Sequence, residues 1–175
     1  MKKLLSGLIS ATLLLASAAQ AKDMAAHIAI SGTLRPAEFS CSVGLSESSV
    51  SVLENSDTLI KQGDNATSPV IIHVTVFGDA ECDKLVEEGK IAYKFTGAAD
   101  DADGTVLANS LTDETAAKGV GIGIFNGQNE LVPVNTGRLG AQGGSAFGLQ
   151  MVQLTNQEAV AGNINSTVTV EIERL

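Results

Sequence analysis

Alternation of apolar and polar residues with a period of two is the feature that most constrains the fold of this chain. In the last ten residues, Val168, Val170 and Ile172 alternate with threonine and glutamate. This pattern predicts a strand with one core face and one solvent face. Residues 26–34 alternate in the same way, so both ends of the chain after residue 25 are predicted strands.

Further runs of this kind recur along the chain and are separated by clusters of Gly, Asn, Asp and Ser about every ten residues. Such spacing is typical of an all-β sandwich or barrel. Helix signals are scarce, and residues 83–90 are expected to hold one short turn at most. The predicted strands cover residues 28–34, 70–77, 91–96, 120–125, 147–154 and 167–173, with less regular runs at 50–53, 107–110 and 130–134.

The first residues have the features of a secretory signal peptide. Lys2 and Lys3 precede an apolar stretch over residues 4–18, and Ala19-Gln20-Ala21 offers a small-x-small cleavage pattern. We therefore expect residues 1–21 to be removed and the mature chain to span residues 22–175. No later segment approaches about 20 uninterrupted apolar residues, so we expect no membrane insertion of the mature chain.

The charge of the chain argues against a nucleic-acid partner, because phosphate binding requires basic patches. The sequence has 11 basic and 20 acidic side chains and a net charge of −9. Removal of the signal peptide takes away two lysines and no acid, which leaves 9 basic and 20 acidic side chains and a net charge of −11.

Cys41 and Cys82 are the two cysteines of the sequence, and both belong to the predicted mature chain. Export would place them in an oxidising compartment, where a pair of thiols normally forms a disulfide. We therefore predict a Cys41–Cys82 bond. No CxxC spacing is present, and two cysteines alone do not make a zinc site.

Other motifs favour structural roles. His27 and His73 lie on predicted strands opposite the apolar face, and no arrangement of residues suggests a catalytic, metal or cofactor site. Residues 100–104 lack the regular acidic spacing of a calcium loop and predict a solvated hairpin tip. Residues 119–123 alternate glycine with apolar residues and predict a strand with one small face for close packing. Asn126-Gly127 predicts a tight hairpin turn with positive φ angles.

Four features occur in order along the mature chain: Ile30-Ser31-Gly32-Thr33-Leu34, then Cys41, then residues 68–83 with Cys82, then the C-terminal strand preceded by Gly162. In this order they resemble the pilin subunits of chaperone-usher fimbriae of the type 1 pilus kind. The resemblance implies an incomplete immunoglobulin-like sandwich that lacks its last strand. It also implies three segments: signal peptide 1–21, N-terminal extension 22–35 and pilin domain 36–175.

In that family the extension of one subunit fills a groove beside the C-terminal strand of another. The implied donor residues here are Ile28, Ile30, Gly32 and Leu34, and the implied edge of the groove comprises Gly162, Val168, Val170, Ile172 and Arg174. The family usually has a tyrosine at the next-to-last position, where this chain has Arg174. Gly32 would fit where the floor of the groove is high, although a bulge in an ordinary first strand would also explain a glycine there.

The implied partners are a periplasmic pilus chaperone, an outer-membrane usher, and other copies of this chain or related pilins. The chain would pass through the periplasm to a surface fimbrium and serve cell adhesion. A second hypothesis is a self-contained secreted β-sandwich that binds a carbohydrate or a protein, with residues 26–34 as its own edge strand. The sequence has no Trp and one Tyr, which argues against a sugar site because sugars usually stack on these rings.

Overall fold

The computed structural model describes residues 41–142 and 145–175, which belong to the unit Ala37–Leu175. The predicted signal peptide and the predicted donor residues Ile28, Ile30, Gly32 and Leu34 lie outside the described residues.

Strands dominate the described part of the chain, and one short helix accompanies them. In chain order the elements are β1 Cys41–Leu45, β2 Ile60–Lys61, β3 Val70–Gly78, α1 Ala80–Glu87, β4 Ile91–Gly97, β5 Leu107–Ala108, β6 Val120–Phe125, β7 Arg138–Gly140, β8 Ser145–Gln153 and β9 Val168–Arg174.

The strands form two sheets. The first has the order β1-β3-β8-β6-β5 with antiparallel neighbours, and β2 pairs in parallel with β8. The second has the order β7-β4-β9, also antiparallel. This arrangement confirms the predicted all-β sandwich.

The core lies between the inward faces of the two sheets. The rings of Phe95 on β4 and Phe147 on β8 meet edge to face across it, with centroids 4.9 Å apart and planes at 63°. Alternate residues of β3, β4, β6 and β8 supply most of the other core side chains, as the period of two predicts. Its largest fully buried members also include Tyr93, Ile91, Ile72, Ile124, Val74 and Val134.

A second apolar cluster covers the outer face of the first sheet at the β6 end. Phe125, Val152 and Leu154 pack there with Val106 and Ala66 from connecting segments. The glycines of β6 make this approach possible, since a Cβ atom on Gly121 would lie 2.8 Å from the carbonyl oxygen of Leu107. The prediction that residues 119–123 form a strand with one small face is confirmed.

Five of the predicted strands are confirmed with small shifts of their ends, namely β3, β4, β6, β8 and β9. The prediction of a strand at 50–53 is wrong, and the one at 130–134 reduces to a single bridge between Leu131 and Phe125. The prediction at 107–110 shortens to β5. Sequence reasoning missed β1, β2 and β7, which have five, two and three residues.

The two predicted turns are present, but each differs in detail. At Asn126, the side-chain Oδ1 accepts from the N–H groups of Gln128 and Glu130, and the positive φ falls on Asn129 rather than on Gly127. At residues 100–104, Gly104 has a φ of 68° as a tight tip requires. Asp100, however, is buried, so the expectation of a fully solvated tip is wrong.

Helix α1 also corrects an expectation, because residues 83–90 were predicted to hold one short turn at most. It begins after Asp79, whose Oδ1 accepts from the N–H groups of Glu81 and Cys82. It ends at Glu87, and Gly89 after the cap has a φ of 68° and donates to the Val86 carbonyl. Among the described residues, no helix is long and apolar enough to cross a membrane.

Candidate functional site: an apolar groove between two sheet edges

A groove runs between the edges of the two sheets. One wall is formed by Leu45 at the end of β1 and by the following residues up to 59, and the other by residues 159–168, which lead into β9. The first wall follows edge strand β1, and β9 is the edge strand of the second sheet. The groove therefore lies where one further strand would close the sandwich.

Three consecutive hollows make up the groove, with cavity volumes of about 260, 240 and 230 Å³. Adjacent hollows share wall residues: Val50 and Val168 line the first two, and Val52 and Ile164 line the last two. Because cavities of about 150 Å³ accept a benzene molecule, each hollow has room for a large aliphatic side chain.

The floor of the groove consists of apolar side chains from the first sheet. From the β1 end to the far end these are Ile72 and Phe147, then Leu149, Leu107 and Ile122, and finally Met151 and Val120. Charge is confined to Glu47 and Glu54 in the first wall. An apolar floor between walls with only two charged side chains suits an extended chain whose alternate side chains are aliphatic.

Strand β9 meets the groove at its first residue, Val168, which lines two of the hollows. One edge of β9 pairs with β4 along its full length, from Val168 opposite Gly97 to Arg174 opposite Ile91. In the described part of the chain, no strand pairs with the other, free edge. Unpaired edges template the binding of another strand.

The residues predicted for the groove edge are placed along this wall in two groups. Gly162 and Val168 line the hollows. Val170 and Ile172 are half-buried against the core on the same face of β9, and Arg174 is exposed near the end of the strand. The functional roles assigned to these residues stay predictions.

The structure gives a steric reason for glycine at position 162, which the sequence did not reveal. A Cβ atom at this position would lie 2.5 Å from the backbone nitrogen of Ala117 and 2.6 Å from the carbonyl oxygen of Thr115. Only glycine therefore lets the second wall approach the 115–117 backbone so closely.

An ion pair supports the outer face of the second sheet. Arg138 on β7 donates to Glu173 on β9 across the intervening strand β4, with 2.6 Å between Nη2 and Oε1. The hydrogen bond from Arg138 lowers the pKa of the Glu173 carboxyl, and the same bond raises the pKa of the guanidinium. The Arg138 side chain is exposed and that of Glu173 is half-buried, so water still screens the pair and it adds little stability.

The predicted disulfide is confirmed and fixes the start of the first wall. Cys41 opens β1 and Cys82 lies on α1, with 5.6 Å between their Cα atoms. Because α1 follows β3 directly and β1 pairs with β3, the bond ties three neighbouring elements together.

Within 41–142 and 145–175, no group of three or more His, Cys, Asp or Glu side chains is arranged to hold a metal ion. His73 is exposed on the outer face of β3, as its alternation predicts.

Several groove residues escaped the sequence analysis. Val50 and Val52 were assigned to a strand rather than to a wall, and Ile164 lies before the predicted C-terminal strand. Leu149 and Met151 were identified only as members of an alternating run. The alternation of residues along a strand shows which side chains share a face. It does not show which of those side chains remain uncovered by segments that are distant in sequence.

Comparison with known proteins gives two findings. The family model described as Fimbrial protein matches residues 28–173. Long polar fimbria protein A of Salmonella typhimurium strain LT2 is 40% identical over 58 residues, which is 33% of this chain and 32% of that protein. The chain thus spans about a third of the length of this relative.

Proposed function

Because this chain belongs to the fimbrial protein family, we propose that it is a structural subunit, not an enzyme, that polymerises by strand donation into a surface fimbrium for cell adhesion. The observation that carries the proposal is the groove between the two sheet edges. Residues 22–35 of one copy would lie in the groove of the next copy, so that each subunit completes its neighbour.

The side chains of the predicted donor strand match the groove. In an extended conformation Ile28, Ile30 and Leu34 would share one face, and the hollows have an apolar floor and are consecutive. Burial of each aliphatic side chain contributes about 1.5–3 kcal/mol, so three of them favour binding by several kcal/mol. Gly32 on the same face would pass over a high part of the floor.

The backbone supports the same conclusion. The free edge of β9 presents N–H and C=O groups that a further strand would satisfy. Strand addition to such an edge derives affinity from main-chain hydrogen bonds and specificity from alternate side chains in pockets.

An exposed apolar groove is an aggregation hazard before assembly. We therefore expect a periplasmic chaperone to cover it during export and an outer-membrane usher to organise the exchange of chaperone for subunit. These two partners rest on the resemblance to chaperone-usher pilins.

The test compares the two faces of the donor strand. Mature chain 22–175 is refolded with its disulfide intact, and polymer formation is followed by size-exclusion chromatography and electron microscopy. We expect polymers from the wild type, none after deletion of residues 22–35, and none from the double variant Ile28→Asp, Ile30→Asp, because a charge buried in an apolar hollow is strongly unfavourable.

The matched control is the double variant His27→Asp, Ala29→Asp, which places the same charges on the opposite face and should still polymerise. A wild-type chain that remains a stable monomer would contradict strand donation and favour the self-contained binding module. Polymers formed equally well by the deletion variant would also contradict the proposal.

A further inference from the structure

A short stretch of the second groove wall, residues 163–165, is held by an unusual set of hydrogen bonds. The N–H of Asn163 donates to the Thr115 carbonyl (2.7 Å), and the Asn163 carbonyl accepts from the Ala117 N–H (2.8 Å). The Asn165 carbonyl accepts from the Ser110 N–H and from the Ser110 hydroxyl, both at 2.8 Å.

The remaining bonds come from one side chain. Asn109 Nδ2 donates to the carbonyls of Asn163 and Ala117, both at 3.0 Å. Asn109 Oδ1 accepts from the N–H of Asn165 at 3.0 Å and from the N–H of Leu111 at 3.1 Å. All four hydrogen-bonding positions of the carboxamide are therefore used on backbone groups.

The Asn109 carboxamide occupies the place of a backbone residue in a parallel strand. In a parallel ladder, one residue donates to the carbonyl that precedes its partner and accepts from the N–H that follows it. Asn109 does this around Ile164, since it donates to Asn163 and accepts from Asn165. The neighbouring bridge between Ala116 and Asn163 is also parallel, so the side chain extends the ladder where the 109–115 backbone is irregular.

These hydrogen bonds determine which backbone N–H and C=O groups of the second wall point toward the groove. Backbone groups of successive residues in an extended chain point to opposite sides. Because those of Asn163 and Asn165 face residues 109–117, those of Ile164 and Ser166 face the groove. Among the described residues these N–H and C=O groups make no hydrogen bond.

We propose that Asn109 is a positioning residue of the groove, which fixes residues 163–165 so that the peptide groups of Ile164 and Ser166 are aligned to bind an incoming donor strand. The inference rests on the proposed function. In it, Asn109 holds residues 163–165 of the second wall in their binding conformation before the donor strand arrives. A wall that is ordered before binding avoids the entropy loss that ordering on binding would entail.

The experiment uses polymers of the mature chain and measures two quantities: the rate of polymer dissociation in denaturant, and the hydrogen exchange of the Ile164 and Ser166 amides. Asn109→Asp keeps the shape and both acceptor positions but loses both donor bonds. We expect its polymers to dissociate about tenfold faster than wild type, because two backbone carbonyls lose a partner. The Ile164 and Ser166 amides, protected in wild-type polymers, should exchange faster.

Asn126→Asp is the matched control. Asn126 also accepts from two backbone N–H groups, of Gln128 and Glu130, and loses a donor bond on substitution, but it lies at the tip of the β6 hairpin away from the groove. Its polymers should show wild-type exchange at Ile164 and Ser166. Ser110→Ala is a milder second variant, since Asn165 keeps its bond to the Ser110 N–H, and should accelerate dissociation about threefold.

The outcomes distinguish a failure of the proposed function from a failure of the positioning role of Asn109. If wild-type chains do not polymerise, the proposed function fails and the role of Asn109 fails with it. If wild-type polymers form but Asn109→Asp and Ser110→Ala dissociate and exchange like Asn126→Asp, the positioning role alone is overturned. Should Asn109→Asp fail to fold, Ser110→Ala and the protection of Ile164 and Ser166 in wild-type polymers still decide the matter.

Discussion

Asp100 is buried, which is uncommon for an aspartate. It is 7% exposed, yet its carboxylate is saturated: Oδ1 accepts from the N–H groups of Ala102 and Asp103, and Oδ2 from the Val106 N–H and the Gln62 side chain. Burial alone would raise the pKa of the Asp100 carboxyl, but the hydrogen bonds from Val106, Gln62 and Ala102 together lower it below its usual value. The ionised form therefore stabilises the hairpin that it organises.

The lowered pKa predicts a specific pH dependence. Since the folded pKa lies below the unfolded value of about 3.9, the contribution of Asp100 is complete above that pH and is lost as the pH falls through the folded pKa. Asp100→Asn should lower the free energy of unfolding by about 2 kcal/mol at pH 7. The difference between wild type and variant should shrink below about pH 4.

Thermal unfolding of wild-type and variant polymers at pH 7 and pH 3, followed by circular dichroism, measures this difference. Asp101→Asn serves as the control, because Asp101 is exposed and its carboxylate accepts a surface hydrogen bond from the Gln157 side chain. A destabilisation by Asp100→Asn that is equal at both pH values would contradict the assigned role of the ionised carboxylate.

At the scale of elements, the disulfide joins the first wall of the groove to the rest of the sandwich. Its closure of a loop with a sequence separation of 41 stabilises the fold by about 4 kcal/mol in the chain-entropy model. Replacement of both Cys41 and Cys82 by Ala should therefore lower the free energy of unfolding by about this amount.

Urea denaturation of the double-alanine variant and of the reduced wild type measures the effect, and the two should agree within about 1 kcal/mol. Hydrogen exchange should rise most along β1, which is an edge strand paired only with β3 among the described residues. Equal stability of the oxidised wild type and the double variant would contradict this interpretation.

The long strands could be predicted from the sequence because one face of each is buried, which imposes alternation. The short elements could not. β2 and β7 have two and three residues, too few for a period to show, and they exist because β8 and β4 offer them an edge. The signals for α1 were present in Asp79 before the helix and Gly89 after it, but its apolar face is too irregular to support a prediction.

The candidate site was predictable in outline only. The resemblance to chaperone-usher pilins implied a groove edge along β9 and at Gly162, whereas the hollows depend on side chains from strands far apart in sequence. Asn109 shows why such contacts could not be predicted from the local sequence, because its hydrogen-bond partners Asn163 and Asn165 are 54 and 56 residues away. Nothing near Asn109 distinguishes it from an ordinary loop asparagine.

At the scale of the whole molecule, the described part of the domain leaves room for one further strand, and in the proposed assembly another copy supplies that strand. A strand from the same chain should fill this position equally well if it runs in the required direction relative to β9. A strand attached after Leu175 through a short turn would return antiparallel to β9, as residues on neighbouring strands of the second sheet already do. Residues 22–35, at about 3.4 Å per residue, are long enough to reach back past Ile164.

We therefore predict that residues 36–175 followed by a two-residue Asp-Gly turn and a copy of residues 22–35 fold as a stable monomer. In this fusion the donor strand and the groove belong to one chain, so insertion of the strand is intramolecular and the effective concentration of the strand is high. Polymerisation should therefore cease. Sedimentation and thermal unfolding test this. The same fusion with Ile28→Asp and Ile30→Asp in the attached copy should aggregate. A wild-type fusion that also aggregates would show that the groove requires a strand in the other direction or from a different partner.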